Sequence, residues 1–140
     1  MALEPVTASH APKRGKKYFT VAEANRSLPY VGRVVGDIAD TYKQAMALRE
    51  RIDHPQPEDA QDKLRDGYDR TMDRLNDLVD ELRQVGVELK DFEKGLVDFP
   101  AVHEGREVLL CWHQGEAKVT AWHEADAGYS GRQDVALLES

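Results

Sequence analysis

Leu82-Arg83-Gln84-Val85-Gly86-Val87-Glu88-Leu89 is the stretch of sequence at which the chain changes from a helical to an extended pattern. Before it, apolar residues recur every three or four positions, which is the period of an α-helix. After it, apolar and polar residues alternate, as in a half-buried strand. Gly86 is the kind of residue that commonly ends a helix, and Val87 supplies the apolar contact that accompanies such an end. The sequence therefore predicts helices before residue 86 and strands after it.

The first half of the chain is predicted to form a long antiparallel α-helical hairpin. Thr20 and Glu23 have the spacing of a capping box. The first helix should therefore begin at about Val21 and end near Ile52. Pro29 predicts a kink or a restart within it, because a proline removes one helical hydrogen bond.

A second helix with the same apolar spacing is predicted for residues 58–85, after a proline-containing connector at 53–57. Each helix would be roughly 35 to 40 Å long at about 1.5 Å per residue, which is longer than the second half of the chain can cover. Part of the coiled-coil-like apolar seam would then lie open. We expect either that the sheet caps one end of the hairpin or that two chains form a homodimer through helices 29–52 and 58–85.

The second half is predicted to form a small antiparallel β-meander of three to four strands, which makes the fold class α+β. The strand candidates are residues 87–89, 96–101, 107–113 and 118–123. A two-residue turn at Gln114-Gly115 would place Leu110 opposite Val119. Trp122 would then lie on the polar face of the sheet, away from the helices.

Asp98 is predicted to lie on the same polar face. A four-residue loop at 102–105 would place this carboxylate beside Leu109. A slip of one residue would bury it instead, and burying a lone carboxylate is costly.

The length of 140 residues fits one domain. Residues 1–17 lack any apolar period and are predicted to be a disordered basic tail. Residues 18–140 are predicted to form a single α+β domain. Its parts are the helical hairpin at 18–86, the β-meander and loop at 87–132 and a C-terminal tail at 133–140.

The charge of the chain argues against a nucleic-acid partner. Residues 1–17 carry four basic side chains and one acidic side chain, a net charge of +3. The whole chain has a net charge of −7, so residues 18–140 carry −10. An acidic body repels phosphate backbones. No apolar run approaches the roughly 20 residues of a membrane span, so we expect no membrane insertion. The single cysteine, Cys111, predicts a reduced thiol in a cytoplasmic protein.

Several phrases of the sequence carry a family resemblance. They are Phe19-Thr20, Glu23-Ala24-Asn25, Gly95-Leu-Val-Asp-Phe-Pro100, Cys111-Trp112, Gly115-Glu116, Trp122-His123 and Ala127-Gly128-Tyr-Ser-Gly131-Arg132. With them the chain resembles the bacterial family catalogued as domain of unknown function 2203, over about Tyr18 to Val135. The resemblance implies a single-domain bacterial protein and indicates no particular activity.

A small-anion site is predicted where the glycine-containing loop before Arg132 folds back over the sheet. Backbone N–H groups of such a loop and the guanidinium of Arg132 suit a carboxylate or a phosphate. The ligand-binding candidates are Asp98, Glu116, Trp122, His123 and Arg132. Alternatively, Arg132 pairs with Glu116 or Asp98 and only ties the loop to the sheet.

A divalent metal ion is the second candidate ligand. His123 and Asp126, with Glu124 and a carboxylate from a neighbouring strand, offer nitrogen and oxygen donors. Their spacing matches no recognised metal motif, and a hydrogen-bonded histidine beside solvated acids is the alternative.

Cys111 with His113 or His123 is a third candidate, for nucleophilic catalysis. A lone cysteine in a strand also fits a small buried apolar group.

These patterns predict a dimeric binding or interaction module with a small-anion site. The alternative is a metal-dependent, hydrolase-like enzyme that uses His123 and nearby carboxylates.

Overall fold

The structure, a computed structural model, describes residues 10–138. Within this range two α-helices precede a sheet of five strands, so the predicted α+β class is confirmed. The elements are α1 (Val21–Asp53), α2 (Gln61–Gln84), β1 (Glu88–Asp91), β2 (Leu96–His103), β3 (Arg106–His113), β4 (Ala121–Glu124) and β5 (Gln133–Asp134). Short 3₁₀ turns at Tyr129–Gly131 and Val135–Leu137 flank β5. No helix in residues 10–138 is both long and apolar enough to cross a membrane.

Local sequence chemistry sets the start of α1. The Glu23 amide donates to the Thr20 hydroxyl at 3.1 Å, and the Thr20 amide donates to the Glu23 carboxylate at 3.0 Å. This is the predicted capping box. The chain stays helical through Pro29, so the helix does not restart there, and the alternative, a kink, stays a prediction. Packing of the buried face of α1, including Val31, offsets the hydrogen bond that the proline removes.

The end of α2 also follows the prediction. Gly86 has φ +87°, the Val87 amide donates to the Leu82 carbonyl at 3.1 Å, and the Gly86 amide donates to the Arg83 carbonyl at 3.0 Å. These two hydrogen bonds form a Schellman motif. Val87 is buried directly after it, which turns the chain from the hairpin into the sheet.

The sheet is antiparallel throughout, in the order β1-β2-β3-β4-β5. Its first face packs on the helices. Phe99 on β2, Leu110 on β3 and Trp122 on β4 lie opposite one another along the sheet and belong to the main core with Val35 and Ile38 of α1. The described part of the chain thus has one apolar layer between the sheet and the hairpin.

The predicted register between β3 and β4 is wrong. Leu110 lies opposite Trp122, three residues from the predicted partner Val119. The connection is a loop instead of a two-residue turn, because the Trp112 indole donates to the Glu116 carbonyl and the Val119 amide donates to the Asn25 side chain. A shift by an odd number of residues exchanges the faces of a strand. The observed shift of three residues therefore places the Trp122 side chain in the core.

The connection between β2 and β3 is shorter than predicted. Glu104 and Gly105 form a two-residue turn with φ of 51° and 77°, as a type I′ hairpin requires. Asp98 therefore lies opposite Cys111 and not beside Leu109. This shift is two residues, so Asp98 keeps its predicted face.

Residues 10–19 form a strap that crosses the second face of the sheet, the face away from the helices, and enters the core at Phe19. The Glu107 amide of β3 donates to the His10 carbonyl at 2.7 Å, and the Phe19 amide donates to the Pro100 carbonyl of β2 at 2.7 Å. Lys16, between these two ends, pairs with the Glu107 carboxylate. This part of the predicted disordered tail is therefore tied to two strands. Residues 1–9 of that tail and residues 139–140 lie outside the described range.

Gly95 lies where α1 and the sheet approach each other closely. A Cβ atom there would lie 2.8 Å from Val35 Cγ1 and 2.9 Å from Gln114 Cβ, at a φ of +63°. We expect Gly95→Ala to lower the free energy of unfolding by about 2 to 4 kcal/mol, through strain and overpacking together. Gly105→Ala is the matched control, because its φ is +77° and a Cβ there meets nothing within 4 Å. Equal losses in urea unfolding of the two variants would contradict the close contact.

Candidate functional site

The second face of the sheet carries buried polar side chains over the middle of β2, β3 and β4. Asp98, Cys111 and His123 are each at most 4% exposed. They line or adjoin a cleft of about 240 Å³ between β1 and the segment that follows β4. The cleft is lined by Lys90, Leu96, Asp98, Leu109, His123, Ala125 and Gly128.

The Asp98 and His123 side chains meet across the central strand. His123 Nε2 lies 3.4 Å from both carboxylate oxygens of Asp98. The two residues come from β2 and β4, which flank β3, so their side chains reach toward each other over Leu109 and Cys111. The register of three strands therefore creates this pair.

The hydrogen bonds of His123 fix the orientation of its ring. His123 Nδ1 lies 2.8 Å from the Glu124 carbonyl, and a carbonyl can only accept. Nδ1 therefore carries a proton and donates it. This contact turns Nε2 toward the Asp98 carboxyl.

Burial dominates the titration of Asp98. Loss of solvent raises the pKa of this carboxyl, while His123 and, more weakly, Lys90 favour its ionised form. Glu88 on β1 adds a further upward influence on the pKa. The expectation that Asp98 avoids burial is wrong, because His123 compensates the carboxylate that would otherwise be alone.

An ion pair between Arg106 and Glu124 lies next to the site. It holds in place the residue whose carbonyl orients the His123 ring. Arg106 binds Glu124 with two hydrogen bonds, from Nε to Oε1 at 2.7 Å and from Nη2 to Oε2 at 2.6 Å. This fork holds the pKa of Glu124 below its usual range. Because the Glu124 carbonyl accepts from the imidazole, the fork also supports the orientation of His123.

Trp122 does not line the cleft, which corrects its predicted position on the polar face. It is 3% exposed, its ring lies 5.5 Å from that of His103, and its indole donates to the Asp134 carbonyl at 3.2 Å. The physical reason is the three-residue shift of β4. Trp122 thereby ties β5 to the core.

Glu116, Arg132 and Asp126 have different surroundings. The Glu116 carboxylate accepts from the His113 amide at 2.9 Å and braces the loop after β3. Arg132 is exposed, and its charge acts to lower the pKa of Cys111, so it lies within electrostatic range of the second face. Asp126 is exposed in the turn after β4. The structure thus brings Asp98 and His123 together, with Arg132 in their neighbourhood.

Possible metal ligands are sparse in the described part of the chain. In residues 10–138 no group of three or more His, Cys, Asp or Glu side chains could hold a metal ion. Asp98 and His123 supply two donors. The metal site with His123 and Asp126 stays a prediction.

Cys111 lies on the same face, opposite Asp98. Burial raises the pKa of its thiol to about 12, and the nearby Asp98 charge acts in the same direction. A thiolate is the reactive form of cysteine, so this environment suppresses nucleophilic chemistry. The interpretation as a small buried group fits the structure better.

Lys90 is the cleft residue that the sequence interpretation missed. It belongs to β1, which pairs with β2 through an irregularity between Leu89 and Asp91. The strand predicted at residues 87–89 ends one residue before Lys90, and the irregular pairing of β1 that brings Lys90 near Asp98 is not visible in the alternation.

The comparisons with known proteins give one match. A family model described as "Uncharacterized conserved protein (DUF2203)" matches residues 17–135. No curated protein matches the chain, and no solved structure does.

The raised pKa of Asp98 predicts a characteristic pH dependence. In the folded chain Asp98 holds its proton above the ordinary pKa of 3.8, so the folded state binds more protons than the unfolded state in that window. Its contribution to stability is therefore full below pH 3.8 and declines as the pH rises through the folded pKa. We expect the unfolding free energy of the wild type, minus that of Asp98→Asn, to fall from pH 4 upward and then to level off. Urea unfolding across this range measures it, and a difference that rises with pH would contradict the assignment.

Proposed function

Since the chain belongs to the family of uncharacterized conserved proteins called DUF2203, we propose its function from the geometry of the cleft, as a binding module for a small anionic ligand. The observation that carries the proposal is a cleft of about 240 Å³ with a buried polar pair inside it and a lysine in its lining. Pockets that combine apolar walls with a few convergent polar groups are the usual form of small-molecule sites.

The local charge supports an anion. The Asp98 carboxyl is buried and faces His123, which compensates its charge and so weakens its repulsion of an anion. Lys90 contributes a positive charge at the cleft, and Arg132 adds another near the second face. Glu88 is the opposing charge, 3.7 Å from the Lys90 ammonium and 41% exposed. The positive charges near the cleft contrast with the net charge of −7 of the whole chain.

A metal-dependent, hydrolase-like enzyme is the alternative proposal. The supporting observation is that His123 and Asp98 offer a nitrogen and an oxygen donor in one cleft. A bound ion would need further donors, from water or from a substrate. Elemental analysis of the purified protein separates the two proposals, because stoichiometric metal supports only the enzyme.

Lys90→Gln tests the anion proposal. Titration of chelator-treated protein with inorganic phosphate and with propionate, followed by NMR, should shift the amide signals of Leu96, Ala125 and Gly128. We expect the variant to bind about three- to tenfold more weakly, because one exposed charge contributes on the order of 1 kcal/mol. Lys43→Gln, at an exposed position of α1, is the control and should bind as the wild type does. If neither anion perturbs the cleft, the proposal fails.

We also propose that two chains pair through helices 29–52 and 58–85. The main core takes residues of α1 only up to Ile38, and residues of α2 only from Leu75. Beyond them the helices cover mainly each other, and Leu48, Ile52 and Tyr68 remain half-buried. A second hairpin laid against this part would bury them further.

Light scattering coupled to size-exclusion chromatography tests the pairing. We expect a mass of twice the 15.8 kDa of one chain at micromolar concentrations. Ile52→Asp should shift the equilibrium toward the single chain, whereas Val102→Asp, at a 47% exposed position on the sheet, should not. A single-chain mass for the wild type at every concentration would refute the dimer.

Two further sequence-based proposals concern the setting of the protein. The family resemblance supports a bacterial origin. The single free cysteine, which is buried, supports a cytoplasmic location.

A further inference from the structure

The atoms of the Asp98–His123 pair differ in their access to a ligand. Both ring nitrogens of His123 are engaged, Nδ1 with the Glu124 carbonyl at 2.8 Å and Nε2 with Asp98 at 3.4 Å. A ligand could reach the imidazole only by breaking one of these contacts. The Asp98 carboxyl is therefore the polar group of the pair that a ligand meets.

The Asp98 carboxylate has acceptor capacity left. A carboxylate offers about four lone-pair positions. The hydrogen bond from His123 is long and is shared between two oxygens, at 3.4 Å to each. The side chain is only 4% exposed, so bulk water contributes little to satisfying the remaining positions. A buried and incompletely satisfied acceptor favours a hydrogen-bond donor from a ligand.

The remaining lining of the cleft defines the rest of the ligand. Leu96 and Leu109 form apolar walls beside Asp98, and Lys90 lies on the β1 side with its side chain 43% exposed. A molecule that satisfies all three features has a donor group at one end, a short carbon skeleton and an anionic group at the other end. Plain anions such as phosphate lack the skeleton that would place both ends.

We propose that the ligand is a small hydroxy- or amino-carboxylate, whose hydroxyl or ammonium donates to Asp98 while its carboxylate meets Lys90. The proposal rests on the anion-binding function and names the class of ligand. Asp98 is then the residue that determines specificity. His123 holds it in place through the contacts at 3.4 Å.

L-Lactate and propionate are the matched probes, because they differ by one hydroxyl group on the same three-carbon carboxylate. Each is titrated into the wild-type protein, with the amide signals of Leu96, Leu109 and Gly128 and the ring signals of His123 followed by NMR. We expect L-lactate to bind at least about tenfold more tightly than propionate, which corresponds to one hydrogen bond to a charged or buried partner. Only L-lactate should move the ring signals of His123 strongly.

Asp98→Asn and Asp73→Asn provide the matched variants. Asp98→Asn should reduce the preference for L-lactate several-fold while propionate still binds. Asp73→Asn removes an exposed carboxylate of α2 and should leave the preference unchanged. Circular dichroism checks that both variants fold, and the comparison of the two probes on the wild type decides the matter if Asp98→Asn does not.

The possible outcomes distinguish a failure of the proposed ligand class from a failure of the proposed anion-binding function. If L-lactate and propionate bind equally well, or if Asp98→Asn keeps the full preference, the ligand class is wrong and the anion site stands. If neither probe nor phosphate binds, the anion-binding function itself is overturned.

Discussion

The row of Phe99, Leu110 and Trp122 across three adjacent strands is the contact on which the arrangement of this sheet depends. Each of these side chains is at most 3% exposed, and together they cover the core side of β2, β3 and β4. Strand residues alternate between faces, so burying this row against the helices commits their neighbours to the other side. Asp98 and His123 are brought together on that side as a result. The polar pair is thus a consequence of apolar packing.

Both faces of the sheet are covered, which a chain of this size achieves with few elements. The helices take the first face, and the strap at residues 10–19 and the segment after β4 take parts of the second. The cleft lies between β1 and the segment after β4. Burial at its floor raises the pKa of the Asp98 carboxyl.

Local signals made the helices predictable, whereas the sheet register depends on contacts that the sequence pattern does not reveal. The cap at Thr20 and the stop at Gly86 involve residues within a few positions of each other, so their chemistry is visible in the sequence. The position of β4 depends on the Asn25 side chain, which binds the Val119 amide 94 residues away. A turn of two residues at Gln114-Gly115 was the simplest local solution, and this distant contact overrides it.

The candidate site was predictable to a similar extent. The sequence predicts Asp98 and His123 as site residues because the glycine-containing loop before Arg132 should fold back over their strands, and the structure pairs the two side chains. Trp122 was misassigned through the register alone. Lys90 was missed because β1 is short and irregular. Residue type alone does not predict whether Glu116 serves a ligand, because the same carboxylate braces the loop after β3.

The hydrogen bond between Asn25 and Val119 has a consequence for synthesis on the ribosome. The helical hairpin needs only residues up to Gln84, and its contacts are local, so it can form as soon as that length has emerged. The loop before β4 cannot be tied to α1 before Val119 has left the exit tunnel, and β5 follows later still. During that interval the apolar face of the hairpin awaits its partner, and it is open to chaperones or to the hairpin of another nascent chain.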